Sequence, residues 1–255
     1  MQENWDSYFL TVEDRPASMF VDLGARKAAP RPELPVMAYV RLHLNAPLAS
    51  GLSSGGEFDT LVAIEDALET GLVGPECAYV GRCTTNGCRD FVFYVARAEG
   101  WEERVGAVLA AYPAYRFDVS ARPDSTWSVY ADFLFPSDES LQSIHNRRLC
   151  DRIEEHGDAL TEPREVDHWA YFDADAGIDA FVIEAAELGF ALRERIEPTA
   201  DSRRGVRLWR SDLPSHAAID SIVLPLFRLA RTHGGHYDGW ETFIVRSPEP
   251  NAAPG

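Results

Sequence analysis

The chain has 255 residues, 45% hydrophobic and 11% aromatic, enough to bury a core in one large domain or two of moderate size. Asp and Glu total 41 against 24 Lys and Arg, a formal charge of −17 that repels phosphate backbones and anionic lipid surfaces but attracts a basic protein segment. Four sparse cysteines, no leader peptide pattern and no apolar run of bilayer length predict a soluble cytoplasmic protein, neither membrane-bound nor a general nucleic-acid binder.

The first half opens with two strand-like runs, "WDSYFLTVE" and "ASMFVDLGA", around a turn at Asp14 and Pro16. A Pro-rich loop leads to a third strand, "VMAYVRLHL". Ser54 and Glu57 then fit a capping box before a helix whose apolar stripe is Phe58, Leu61, Val62, Leu68 and Leu72. "CAYVGRCTTNGCRDFVFYVA" reads as a hairpin closed by Asn86-Gly87. Trp101, Val105, Val108, Leu109 and Tyr112 stripe a second helix, and "YRFDVSARPD" and "TWSVYADFLF" supply two last strands. This order predicts an α+β domain over 1–135, with a mixed sheet and two helices.

"FPSDES" punctuates the pattern at 135–140. A charged helix follows, with Leu141, Ile144, Leu149 and Ile153 on its apolar line, then the strand "VDHWAYF". Ile178, Phe181, Val182, Ala185 and Leu188 stripe the next helix, which Gly189 closes. "FALRERIEP" and "GVRLWRSDL" are strands around "TADSRR". Ile219, Ile222, Val223, Leu226 and Leu229 mark a last helix, containing Pro225. After the charged helix the order is β-α-β-β-α-β, the split βαβ or ferredoxin-like arrangement, in an antiparallel sheet with helices on one face. The expected domain spans 139–246, and 247–255 is expected to be a flexible tail.

The last strand holds a contradiction. "GGHYDGWETFIV" carries Asp238-Gly239, a hairpin-turn dipeptide, where no further strand follows. In the split βαβ order this strand is an edge, and edges are protected by bulges or charges. The expectation is therefore a bulge, with Gly239 at positive φ and Asp238 bonding nearby backbone.

Candidate chemistry is sparse. Cys83 and Cys88 face each other across the expected hairpin, either packing as small apolar groups, forming a disulfide or redox pair, or supplying half a metal site. His233 and His236 are spaced for metal but straddle Gly234-Gly235, and His233 fits a helix C-terminus better. Asp167, His168 and Asp238 form the best acid/base group the chain offers. Trp169, Tyr171, Trp209, Tyr237, Trp240 and Phe243 either pack or form a stacking platform, for which interleaved basic residues are wanting. No metal or other cofactor is expected. The acidic run from Asp151 through Asp179 reads either as solvated helix faces or as a docking surface, with Glu154, Glu155, Asp158 and Glu162 as its partner-binding residues.

At Tyr237-Asp238-Gly239-Trp240 the second half resembles the bacterial regulator of ribonuclease activity B family. The leading charged helix and "AAELGF" at 185–190 add to the likeness, which covers roughly 139–246. The resemblance implies an acidic, non-catalytic inhibitor that binds the scaffold region of ribonuclease E. It also marks the four motif residues, which are expected to be structural. Residues 3–135, with "ENWDSYFLTVEDRPASMFVDL" and "YVGRCTTNGCRDFVFYV", are similar to a bacterial family known only as a domain of unknown function, often found in front of the first. The expected function is thus regulation by binding a basic partner, without catalysis. The alternative is a small-molecule-binding protein or enzyme with its site in the first domain or the interdomain cleft.

Overall fold

The fold is that of a computed structural model, which describes residues 3–199 and 203–246. The tail expected over 247–255 and part of "TADSRR" lie outside them. The chain divides into two compact α+β units, Met1–Ser140 and Leu141–Gly255.

In the first unit, six strands are β1 (Trp5–Val12), β2 (Arg15–Asp22), β3 (Val36–His43), β4 (Cys77–Thr85), β5 (Cys88–Val95) and β6 (Phe117–Pro123). They are ordered β1-β2-β4-β5-β3-β6, and every neighbouring pair is antiparallel. The expected mixed sheet is thus corrected. A helix joins β3 to β4, but β5 folds back between them through Asn86-Gly87, whose φ values of 50° and 75° suit the tight hairpin turn. Helices α1 (Phe58–Leu72) and α2 (Trp101–Leu109) cover one face, packing Leu61, Ile64, Leu68, Trp101 and Val105 on Val40, Leu42, Phe91 and Phe93. The capping box does not form: the Glu57 carboxylate turns away to accept from the backbone N–H groups of Asn45 and Ala46, at 2.8 and 2.9 Å.

"TWSVYADFLF" is not a strand. Asp124 accepts from the N–H groups of Ser128 and Val129, starting a helical turn that continues through Val129–Leu134. Its buried Trp127, Tyr130 and Leu134 follow helical spacing, and Trp127 stacks 4.1 Å from Tyr94. The β-rich composition concealed that period.

The second unit contains α3 (Asp138–Glu155) from Leu141 onward, β7 (Arg164–Phe172), α4 (Asp175–Glu187), β8 (Ala191–Ile196), β9 (Arg204–Asp212), α5 (Ile219–Thr232) and β10 (Gly235–Thr242). The sheet order is β10-β7-β9-β8, all antiparallel, so the unit's first and third strands are central. Phe172, Phe181, Val206, Leu226, Tyr237 and Trp240 belong to one buried core. The first unit repeats this plan: β3-α1-β4-β5-α2-β6 is the same succession, and β6-β3-β5-β4 is the same spatial order. It adds the β1–β2 hairpin beyond β4, whereas the second unit adds α3 in front.

β10 lies at an edge and is bulged. Tyr237 pairs with Ala170 and Gly239 with Trp169, leaving Asp238 as the extra residue. Strict alternation would send Tyr237 and Trp240 to opposite faces. The inserted residue instead lets both enter the core, where they are 2% and 6% exposed. Gly239 takes φ +150°, a conformation L side chains rarely adopt, although a Cβ there would meet nothing within 4 Å. The turn dipeptide in the last strand is a device for burying two aromatics three residues apart.

Asp158, expected at a docking surface, is instead buried at 3% exposure. Arg164 holds both of its oxygens, and the N–H groups of Leu160 and Val245 donate to it at 2.8 and 2.7 Å. The Arg164 bond first, then those N–H groups, outweigh desolvation and hold this carboxyl at about 2.

Two outcomes follow from this packing. Gly239→Val and Gly239→Ala should each destabilise the second unit by about 1–3 kcal/mol, because the cost is backbone strain rather than collision. Chemical denaturation checks this, and Val costing far more than Ala would refute the conformational account. Asp158→Asn should cost about 3–5 kcal/mol at neutral pH, since it strands a buried guanidinium. A depressed folded pKa contributes stability above the unfolded value and loses it as pH falls through the folded one. The parent should therefore lose this increment between roughly pH 4 and pH 2, and the variant should lack that segment of its stability–pH curve.

Candidate functional site

In the second unit, α3 and the β10 bulge border an open cleft of about 700 Å³. Gln142, His145, Leu149 and Arg152 follow one another at helical spacing along α3, with Arg148, Asp151 and Glu155 beside them. Asp238, Gly239 and Trp240 form the opposite wall. A buried amide network fixes the two walls. Asn146 Oδ1 accepts from Trp240 Nε1 at 3.0 Å and from Gln142 Nε2 at 2.9 Å, while its Nδ2 donates to Asp220 at 2.8 Å. The network escaped the sequence reading, although an Asn on the buried line that continues through Cys150 and Ile153 was its visible trace.

Charges in the cleft are mixed, with three carboxylates (Asp151, Glu155, Asp238) and two guanidiniums (Arg148, Arg152). Of the expected docking residues, Glu155 lines it and Glu154 lies nearby, 3.2 Å from His216 Nε2. Glu162 is exposed in the loop before β7. The rest of the acidic run is spent on ion pairs: Glu165 with Arg193, Asp167 with Arg193 and Arg207, Asp175 with Arg204, and Asp179 with Arg195.

The acid/base group does not assemble, because consecutive strand residues face opposite ways. His168 points into the core, where Tyr237 Oη lies 2.8 Å from its Nδ1. Burial first, and then Arg210, push this imidazole down to about 3, while burial pushes the Tyr237 hydroxyl well above its usual range. The pair is neutral across the physiological range and acts as a core hydrogen bond. Asp167 lies on the opposite face and Asp238 in the cleft.

Nor do the aromatics form one platform. Tyr237 and Trp240 are core residues, while Trp169 and Trp209 lie beneath Arg207 and Arg193, at 4.9 and 5.0 Å. Basic residues are thus interleaved with these rings, contrary to expectation, but they bridge to Asp167.

Cys83 lies opposite Asp90 rather than Cys88, which pairs with Thr85, and both thiols are free. Cys88 Sγ is 3.6 Å from His43 Nδ1, but Arg116 is closer to that nitrogen, at 2.8 Å, and burial raises the thiol pKa. His233 caps α5 and pairs with Glu184 at 3.0 Å, whereas His236 is exposed on β10. Among the described residues, Asp151, Glu154 and His216 bring ligand atoms within 4.8 Å of one another, all exposed, with His216 Nε2 already 3.5 and 3.2 Å from the two carboxylates. No helix among them is long and apolar enough to cross a membrane.

The comparisons divide along the two units. Residues 143–242, which contain most of the cleft's α3 wall and the whole bulge, match the family model described as regulator of ribonuclease activity B. No curated protein matches the chain. A crystal structure of an unknown protein from Galdieria sulphuraria is similar at 13% identity, covering 80% of this chain and 96% of that one, with a TM-score of 0.21. Residues 3–135, just over half of the chain, match the family of unknown function DUF695, and the chain belongs to that family.

Proposed function

We propose that this protein is a non-catalytic regulator whose second unit docks a basic segment of a partner protein in the cleft between α3 and the β10 bulge. The observation that carries this reading is the cleft itself. The charged helix and the Tyr-Asp-Gly-Trp strand, the two features behind the family likeness, form its two walls. The walls offer Asp151, Glu155 and Asp238 at the rim, and Leu149 and Trp240 for apolar contact. The family description, a regulator of ribonuclease activity, supports a ribonuclease as the partner, and the basic scaffold segment of ribonuclease E is the one to test.

Rim ion pairs contribute about 0–1 kcal/mol each, so several must act together with apolar burial. The test titrates the full chain against that segment by calorimetry at several salt concentrations. Shortening the Debye length to about 8 Å at physiological salt should weaken association, mainly through the on-rate. Reversing Glu155 and Asp238 to Lys together should weaken binding about tenfold, and Glu154→Lys, outside the cleft, should weaken it less. Absence of binding at low salt removes this partner. An unaffected double variant moves the interface off the cleft.

A further inference from the structure

We propose that a cavity in the first unit, between α1 and the β1–β2 hairpin, binds the side chain of an arginine presented by a partner polypeptide. The cavity measures about 400 Å³ and is lined by Trp5, Phe20 and Tyr79, by Val62 and the acidic side chains of α1, and by Glu3 and Arg82. The proposal concerns the unit of unknown function and is independent of the cleft in the second unit.

Ring geometry is the first support. Trp5 stacks at 5.0 Å on Phe20 and at 5.2 Å on Tyr79, with interplanar angles of 18° and 29°. The indole remains partly exposed, and glutamate 3 accepts from its Nε1 at 3.1 Å. Stacked rings of this kind offer a flat, electron-rich face on which a guanidinium lies well.

The charges agree. Glu3, Glu65, Asp66 and Glu69 meet a single cation, Arg82, in the cavity wall. Arg82 is committed to Glu65 at 2.7 Å, and Glu65 also accepts from Tyr79 Oη at 2.7 Å. Among the described residues, no side chain pairs with Asp66 or Glu69. The Glu69 carboxyl is raised above its ordinary value by burial first and then by Glu3, Glu65 and Asp66, so negative potential there is left unbalanced. Arg82 also shows the recognition mode within the fold, its guanidinium lying 4.8 Å over Phe20 while a carboxylate holds its edge. A second guanidinium over Trp5, forked to Asp66 and Glu69, repeats that arrangement.

The surroundings favour a polypeptide over a free cation. Phe58 and Val62, 58% and 36% exposed, lie on the helix face that carries Asp66 and Glu69. Phe9, 70% exposed, lies on the same face of β1 as Trp5. Together they add exposed apolar surface, for residues flanking the arginine to cover, on the two elements that border the cavity.

The experiment follows the Trp5 indole N–H resonance of the full chain, assigned by its loss in Trp5→Phe. The probes are acetyl-Leu-Arg-amide, the same dipeptide with neutral citrulline, and spermidine. The arginine peptide should shift the resonance saturably, with an effect that declines as salt rises, and citrulline should not. The double variant Asp66→Asn/Glu69→Gln, with an unchanged thermal midpoint, should bind about fivefold more weakly. No shift at millimolar peptide, equal binding of the citrulline peptide, or undiminished binding by the double variant would overturn the proposal. Tighter binding of spermidine than of the arginine peptide would overturn it in favour of a free polyamine.

Discussion

One buried carboxamide ties the second unit together. Asn146 is fully buried, and it links α3, α5 and β10 by accepting from Gln142 and Trp240 and donating to Asp220. A polar group in such a place is costly unless satisfied, so the partners must arrive together. Trp240 reaches Asn146 only because the bulge turns it inward. Through that single acceptor atom, the backbone irregularity of an edge strand sets where the leading helix lies, and thereby the width of the cleft.

The net charge of −17 does not describe a uniform acidic surface. Glu165, Asp167, Asp175, Asp179, Asp212 and Glu241 are answered by arginines of β8 and β9, and the open sheet face carries Trp–Arg stacks closed by Asp167. Arginine suits this work, since one guanidinium can lie over a ring and still bond a carboxylate edge-on. Acidic groups without an ion pair among the described residues include Glu155 at the end of α3, Asp238 on the bulge, and Asp66 and Glu69 on one face of α1. Long-range attraction belongs to the whole chain, whereas recognition belongs to these few places.

The elements of both units were largely legible, because alternation and helical stripes survive in a single sequence. The bulge was legible too, from a turn dipeptide that had no second strand to serve. Three things were not. The helical turn at Val129–Leu134 hides in β-forming residues and depends on Asp124 capping it. The roles of neighbouring acids depend on which arginine folds back to meet them, so Asp158 and Glu155 look alike in sequence although one is buried and the other lines the cleft. The shared topology of the two units also escaped notice, because the β1–β2 hairpin placed two strands before the repeated succession begins.

That shared topology gives the two candidate sites a common origin. A β-α-β-β-α-β frame is closed on its helical face by its own two helices, and its edges are where it stays open. Each unit attaches one extra element at such an edge, the β1–β2 hairpin on β4 in the first and α3 against β10 in the second. Side chains of an added element pack well only where they meet the frame directly, and the seam beyond that contact is left as a groove. Trp5 and Phe20 come from the added hairpin, Glu3 from just before it, and the three border the cavity with α1 of the frame. Gln142, His145 and Arg152 come from the added helix and face β10 of the frame. Seams can change their charges and exposed rings without disturbing either core. A fold used twice in one chain therefore presents two different surfaces, each where the frame alone would have been unprotected.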